Sequence, residues 1–171
     1  MSLIRTDRLL LEPLVPGHAE AMFEVLRDPQ IYRHLDYGPP PSAEHLRSLY
    51  QRLQAGRSPD GSELWFNWAV MPQGAGPAGY VQATVLPNSS AWVAYVFSPS
   101  SWGRGWATEA TRGMIGHLAE AHRVRRCMAV AEADNQRSIA LLARLGFMPA
   151  DAHDPEAAGL TPTERLFILT R

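Results

Sequence analysis

Seven consecutive apolar residues, AWVAYVF at 91–97, constrain this chain more than any other stretch. A strand that is apolar on both faces has to be covered on both, so it belongs inside a sheet rather than at its edge. The chain then runs through SPSSWGRG (98–105) into a pattern with Ala107, Ala110, Met114, Leu118 and Ala121 at helical spacing, which predicts a helix from about Trp106 to His122. VRRCMAVAE (124–132) reads as the next strand. Strand, helix and strand in that order form a right-handed crossover between parallel neighbours.

The flanking segments extend this unit. RLLLEPLV (8–15) reads as a strand broken by Pro16 and Gly17. Ala19, Met22, Phe23 and Leu26 mark one face of a short helix that stops before Asp28 and Pro29. Ser42 can cap a second helix striped by Leu46, Leu49, Tyr50 and Leu53, with Gly56 at its end. The Tyr- and Pro-rich link between them, YRHLDYGPPP (32–41), reads as a flexible lid. From residue 64 the period changes to two, and strands at 64–70 and 78–86 form a meander with 91–97. DNQRSIALLARLGF (134–147) is a helix with Asp134 or Asn135 as cap and Gly146 at its end, and TERLFILTR (163–171) closes the chain as a strand. The loop 151–163 is expected to be mobile. The expectation is a mixed α/β sheet in one domain spanning 1–171, in the order β-α-α-β-β-β-α-β-α-β.

A net charge of −1, from 16 basic and 17 acidic residues, gives no basic stripe for nucleic acid. No apolar run is long enough to cross a bilayer, and MSLIRTDRLLLEPL lacks the apolar core of a targeting signal. The single cysteine, Cys127, permits no internal disulfide and suggests no metal cluster. A cytoplasmic protein without a metal is expected; a homodimer is left open.

The chemistry concentrates at the start of the helix after 91–97. A helix leaves about four N–H groups unpaired in its first turn, and the positive end of its dipole attracts anions. Gly103 and Gly105 give a ligand access to that backbone, Arg104 adds a cation and Thr108 a hydroxyl. A pyrophosphate is the ligand this pattern suits. The stretch lacks the Gly-Lys-Ser/Thr of nucleotide phosphate loops and the third glycine of the dinucleotide fingerprint. A glycine-rich helix start with no ligand is the alternative on local pattern alone. Asn135 and Ser138 open the helix after the next parallel strand and therefore face the same crevice. Each has a purely local alternative as a cap or a first-turn polar residue.

Together, YVFSPSSWGRGWATEA and NQRSIALLARLGF resemble the GCN5-related N-acetyltransferase (GNAT) family, in particular the branch of ribosomal-protein N-terminal alanine and serine acetyltransferases. The family's acyl-CoA signature falls on Trp102, Gly103, Arg104, Gly105, Trp106 and Ala107, with tryptophan in place of Gln/Arg at its first position. ATEA (107–110) and the opening RTDRLLLEPL fit the branch, with Glu12 where arginine is usual. The resemblance implies acetyl-CoA as donor. Its pyrophosphate would lie on residues 103–108, including Thr108, and its pantetheine along the strand at 93–98, touching Val96, Phe97 and Ser98. Asn135 would hydrogen-bond the pantetheine arm.

The implied reaction is direct attack of an amine on the thioester, with no acyl-enzyme, so Cys127 is read as an inert core thiol. A backbone N–H from 94–97 would hold the oxyanion. Many relatives protonate the thiolate with a tyrosine where this chain has Leu142, and Ser138 or a water is the substitute. Glu132 is the candidate base, directly or through a water. His34, Asp36 and Tyr37, in the lid, are candidate acceptor-binding residues. Trp92 stands where relatives often carry an acidic residue, and Ala94 replaces the usual glycine. The acceptor is read as a primary amine, a protein N-terminus first among the choices. The alternatives are a small-molecule amine (an antibiotic or an amino-acid-like compound) or an acyl-CoA sensor without turnover.

Overall fold

The computed structural model describes residues 2–151 and 153–171. Eight strands join in one sheet: β1 Ile4–Arg5, β2 Leu9–Pro13, β3 Leu64–Pro72, β4 Gly79–Val85, β5 Ser90–Phe97, β6 Arg126–Glu132, β7 Met148–Pro149 and β8 Glu164–Thr170. Across the sheet the order is β1-β2-β3-β4-β5-β6-β8-β7, which puts the apolar segment 91–97 in an interior strand as its composition requires. Every neighbouring pair is antiparallel except β5 and β6, the two strands of the crossover.

Among the described residues four α-helices cover the two faces. α1 (Ala19–Leu26) and α2 (Ala43–Leu53) bury Met22, Leu26, Leu46 and Tyr50 against Leu14, Ala69 and Val96 on one face. α3 (Trp106–His122) and α4 (Gln136–Leu145) bury Ala110, Met114, Leu118 and Leu142 against Val81, Val93 and Phe167 on the other. Local signals explain the helix ends. Ser42 Oγ accepts from the His45 N–H at 3.1 Å, and Gly146 takes the left-handed conformation (φ +90°) that ends α4. Gly79 is needed for close approach, because a Cβ there would lie 2.0 Å from the Val96 carbonyl oxygen.

Three expectations change in detail. The two-residue strands β1 and β7 are too short to leave a periodic signal, and they exist through pairing with β2 and β8. β6 starts at Arg126 rather than at 124, because Arg123 turns left-handed (φ +56°) where α3 ends. In the expected mobile loop, Pro155–Ala157 form a 3-10 turn and Asp154 Oδ2 accepts from Arg126 Nη2 at 2.6 Å, a tie to β6.

One feature of the sheet positions the site. β5 and β6 pair at three positions only, Ser90 with Arg126, Ala91 with Cys127 and Trp92 with Met128. Beyond them β5 stays paired to β4 as far as Phe97, and β6 to β8 as far as Glu132. The carboxyl halves of the two parallel strands therefore part, and a gap opens through the middle of the sheet.

Candidate active site

Backbone polarity settles what faces the gap from β5. The Ser98 N–H donates to Ala78 and the Ser90 carbonyl accepts from Leu86, so the even-numbered residues of β5 turn their backbone toward β4. By the alternation of an antiparallel ladder, Val93, Tyr95 and Phe97 turn theirs toward the gap. Among the residues read from sequence, Phe97 thus presents its backbone there, while Val96 and Ser98 do not. The Phe97 carbonyl is already engaged by Trp102 Nε1 at 3.0 Å, which folds the loop back onto the strand end.

The loop 102–105 leads into α3 with both glycines left-handed, Gly103 at φ +76° and Gly105 at φ +77°. Gly105 is the N-cap residue and offers no side-chain hydrogen bond, so the first-turn amides of Trp106, Ala107 and Thr108 lack a side-chain cap. Nothing lies within 4 Å of a Cβ built on Gly103. Open space above uncapped amides at the positive end of a helix fits an anionic group. The Arg104 guanidinium lies 4.9 Å from the centroid of the Trp106 ring, and that of Arg137, from α4, lies 3.8 Å from the Trp102 ring. The two tryptophans hold cations around the loop mouth, and both pack on the core.

An ion-pair network not foreseen from the sequence secures this loop from behind. Glu109 Oε1 accepts from the Arg8 N–H (2.9 Å) and Thr6 Oγ1 (2.6 Å), and Oε2 from Arg8 Nε (2.7 Å). Arg8 Nη1 then donates to the Arg104 carbonyl at 3.0 Å. Burial acts to raise the Glu109 carboxyl, but the hydrogen bonds from Thr6 and Arg8 and the Arg8 charge outweigh it and hold the group below its ordinary range. A depressed carboxylate contributes stability above its unfolded value and loses it as pH falls through the folded one. Glu109→Gln should accordingly cost about 1 kcal/mol near neutrality, because Arg8 is half exposed and screened. The gap in melting temperature from wild type should close as pH drops below the ordinary glutamate value of 4.5. A gap constant with pH would mean the carboxylate charge does no work there.

Across the gap, Asn135, one of the two residues expected as cap, caps α4, its Oδ1 accepting from the Ser138 N–H at 3.1 Å. That leaves the carboxamide NH₂ as the group able to donate elsewhere. Ser138 Oγ lies 2.7 Å from the Tyr95 hydroxyl, a contact that spans from β5 to α4. Burial pushes the Tyr95 phenol up to about 12, against the lowering effect of its bond to Ser138, so it is protonated at neutral pH. The sequence reading missed Tyr95. The unbroken apolar run 91–97 placed it on an interior strand, but nothing local marked its hydroxyl as functional. Cys127 is buried and its thiol is pushed up to about 11 by burial, as an inert core thiol should be. Among the described residues no group of three or more His, Cys, Asp or Glu could hold a metal.

The remaining predicted residues are only partly gathered. Glu132, half-buried, ends β6 opposite Glu164, and its carbonyl accepts from the Asn135 N–H at 3.0 Å. His34 ends a 3-10 turn (Pro29–His34), and its Nδ1 lies 3.1 Å from Asp134 Oδ1, which joins the segment between α1 and α2 to the turn before α4. Tyr37 sits near the same segment, its ring edge-on to Tyr32 (5.7 Å between centroids) and its hydroxyl 3.4 Å from that of Tyr80. Asp36 is exposed. The segment read as a flexible lid is pinned at one more point, where the Tyr32 hydroxyl donates to the Leu26 carbonyl at 2.7 Å.

Comparison with known proteins agrees with this geometry. The model of the GNAT acetyltransferase domain matches residues 8–148. The chain belongs to the GNAT acetyltransferase family and is an N-acetyltransferase. An uncharacterized N-acetyltransferase of Bacillus subtilis (strain 168), YoaA, is 25% identical over 149 residues, 85% of this chain and 82% of its own. Two solved structures share the fold. RimL, a ribosomal L7/L12 α-N-protein acetyltransferase solved with coenzyme A, gives a TM-score of 0.81 at 21% identity, covering 99% of this chain and 98% of its own. The microcin C7 self-immunity acetyltransferase MccE, solved with acetyl-CoA and AMP, gives 0.79 at 16% identity, covering 97% and 94%.

Proposed function

We propose that this protein transfers acetyl from acetyl-CoA to the N-terminal amine of a protein by direct attack within a ternary complex. The observation that carries the transfer is the gap between β5 and β6, flanked by an uncapped helix start on one side and the Tyr95–Ser138 hydroxyl pair on the other. The N-terminal acceptor is supported by the likeness to RimL, which modifies a ribosomal protein.

Each residue then has a task. The first-turn amides of Trp106, Ala107 and Thr108, with Gly103, Arg104 and Gly105, hold the pyrophosphate of the donor. Tyr95 and Phe97 offer backbone N–H groups to the pantetheine arm and, at its end, to the oxyanion formed on attack. Asn135 donates its NH₂ to the same arm. Bound acetyl-CoA supplies an activated thioester, so the protein needs no nucleophile of its own. Glu132 takes the proton of the amine, through a water if not directly. Ser138 delivers a proton to the departing thiolate as the Tyr95 hydroxyl passes one to Ser138, and the proton taken up by Glu132 returns through water to restore Tyr95. A thiolate with a solution pKa of about 8.5 needs only modest help of this kind.

The test is release of free CoA thiol from acetyl-CoA with a panel of N-terminal peptides and small amines. Peptide-dependent release well above slow hydrolysis is the expected result. Stabilisation of the fold by acetyl-CoA with no amine-dependent release would make the protein a sensor. Release with small amines only would overturn the protein N-terminus as acceptor.

A further inference from the structure

We infer that the cavity between α2 and the sheet is a specificity pocket for an uncharged, ring-sized group carried next to the acceptor amine. The inference rests on the acetyl-transfer reading and adds the chemistry of the acceptor to it. The cavity measures about 170 Å³. An apolar cavity of about 150 Å³ takes benzene, so the space suits a single ring or a leucine-sized group. Tyr32, Tyr37, Tyr50 and Tyr80 line it together with Leu46 and Leu49. Among the described residues that line it none is Asp, Glu, Lys or Arg. A charged side chain entering it would shed its hydration, and among those residues His45 is the one ionisable nitrogen in the lining to offset that loss.

Its polar groups are the side chains of Asn67, Gln82 and His45 and the tyrosine hydroxyls. Asn67 and Gln82 lie in the wall, and the Tyr50 hydroxyl is buried with no hydrogen-bond partner among the described residues. Position links the pocket to the chemistry. Gln82 and Tyr80 on β4 pair with Ala94 and Val96 on β5, the half of the strand that borders the gap. Val96 packs with α1 and α2, whereas Tyr95, next to it, packs with the core under α3. The pocket and the pyrophosphate cradle therefore lie on opposite faces of the sheet and meet through the gap. Tyr37, 50% exposed, stands at the mouth.

Peptides that differ only in the first residue (Phe, Tyr, Leu, Ser, Asp or Lys) test this by acetyl-CoA-dependent release of thiol, with phenethylamine as the free-amine arm. The expected kcat/KM for Phe, Tyr and Leu exceeds that for Asp and Lys by about tenfold or more. Leu49→Trp, which fills the cavity, should bring that ratio to within about twofold. Leu49→Ala, which enlarges it, should move the optimum to a Trp-first peptide, so the pocket is still tested if the tryptophan variant does not fold. Comparable rates for Asp- or Lys-first peptides, or a ratio untouched by both variants, would overturn the pocket. Phenethylamine outperforming the Phe-first peptide would keep the pocket and make the source of the ring a free amine. Calorimetric titration of phenylalanine amide in the presence of CoA needs no turnover: wild type should bind it, and Leu49→Trp about tenfold more weakly. If that binding holds while no amine is acetylated, the transfer reading fails and the pocket stands. If transfer proceeds without the ring preference, the reverse is true.

Discussion

Replacing Gly105 by glutamate should remove measurable acetyl-CoA binding from a protein that still folds. Gly105 sits at φ +77° with Arg8 Nη2 3.4 Å from where a Cβ would be. Any side chain there costs about 1–2 kcal/mol in backbone strain, and its first carbon crowds only the tip of a flexible arginine. The glutamate carboxylate then finds the donors proposed for the pyrophosphate. It can accept from the uncapped amides and from Arg104, which limits the loss of fold stability. The same occupation bars a phosphate by charge and by volume. We expect affinity for acetyl-CoA to fall about a thousandfold, or ~4 kcal/mol, by calorimetry. Gly105→Ala carries the strain without the charge and should lose about tenfold or less. Equal losses in the two variants would show that loop shape alone matters, and unchanged binding in Gly105→Glu would remove the pyrophosphate from this loop.

The second large effect concerns the 2.7 Å contact between Tyr95 and Ser138. Ser138→Ala should lower kcat about a hundredfold, the range found when a proton-transfer group is removed. KM for acetyl-CoA should stay within about threefold, because a hydroxyl used at thiolate departure contributes to the transition state alone. Tyr95→Phe should lower kcat about tenfold, since it leaves Ser138 in place with water as its backing donor. The double variant should fall no further than Ser138→Ala, because both hydroxyls act on one proton path. Additive losses would give Tyr95 a separate role, and a loss shared by kcat and KM would make Ser138 a binding residue.

What was legible in the sequence was whatever is encoded locally. The crossover from β5 through α3 to β6, the glycines of the loop and the cap at Asn135 are all set by neighbours along the chain. They stand in the structure where periodicity and capping placed them. The contacts that complete the site join residues far apart in sequence. Arg8 and Glu109 were visible only as parts of two family-like segments, and nothing in either said that the first would grip the second. His34 meets Asp134, and Tyr95 meets Ser138, because the sheet brings their elements together. The parting of β5 and β6 is likewise invisible in the strands themselves, since β5 stays apolar to its end and β6 as far as Ala131, beyond the last pair that joins them. Glu132 and Asp36 show the converse: they were singled out by residue type, and their surroundings add no specific partner to their carboxylates among the described residues.

The three-pair seam between β5 and β6 has a mechanical consequence. It divides the sheet into a five-strand panel and a three-strand panel, fastened at one end of a common border and joined along the chain by the α3 crossover. An extended donor arm laid along the free edge of β5 would act as a splint across that border. Empty, the protein joins its two panels by three strand pairings beside the gap; with the donor arm in place, the same border would be braced by the molecule consumed.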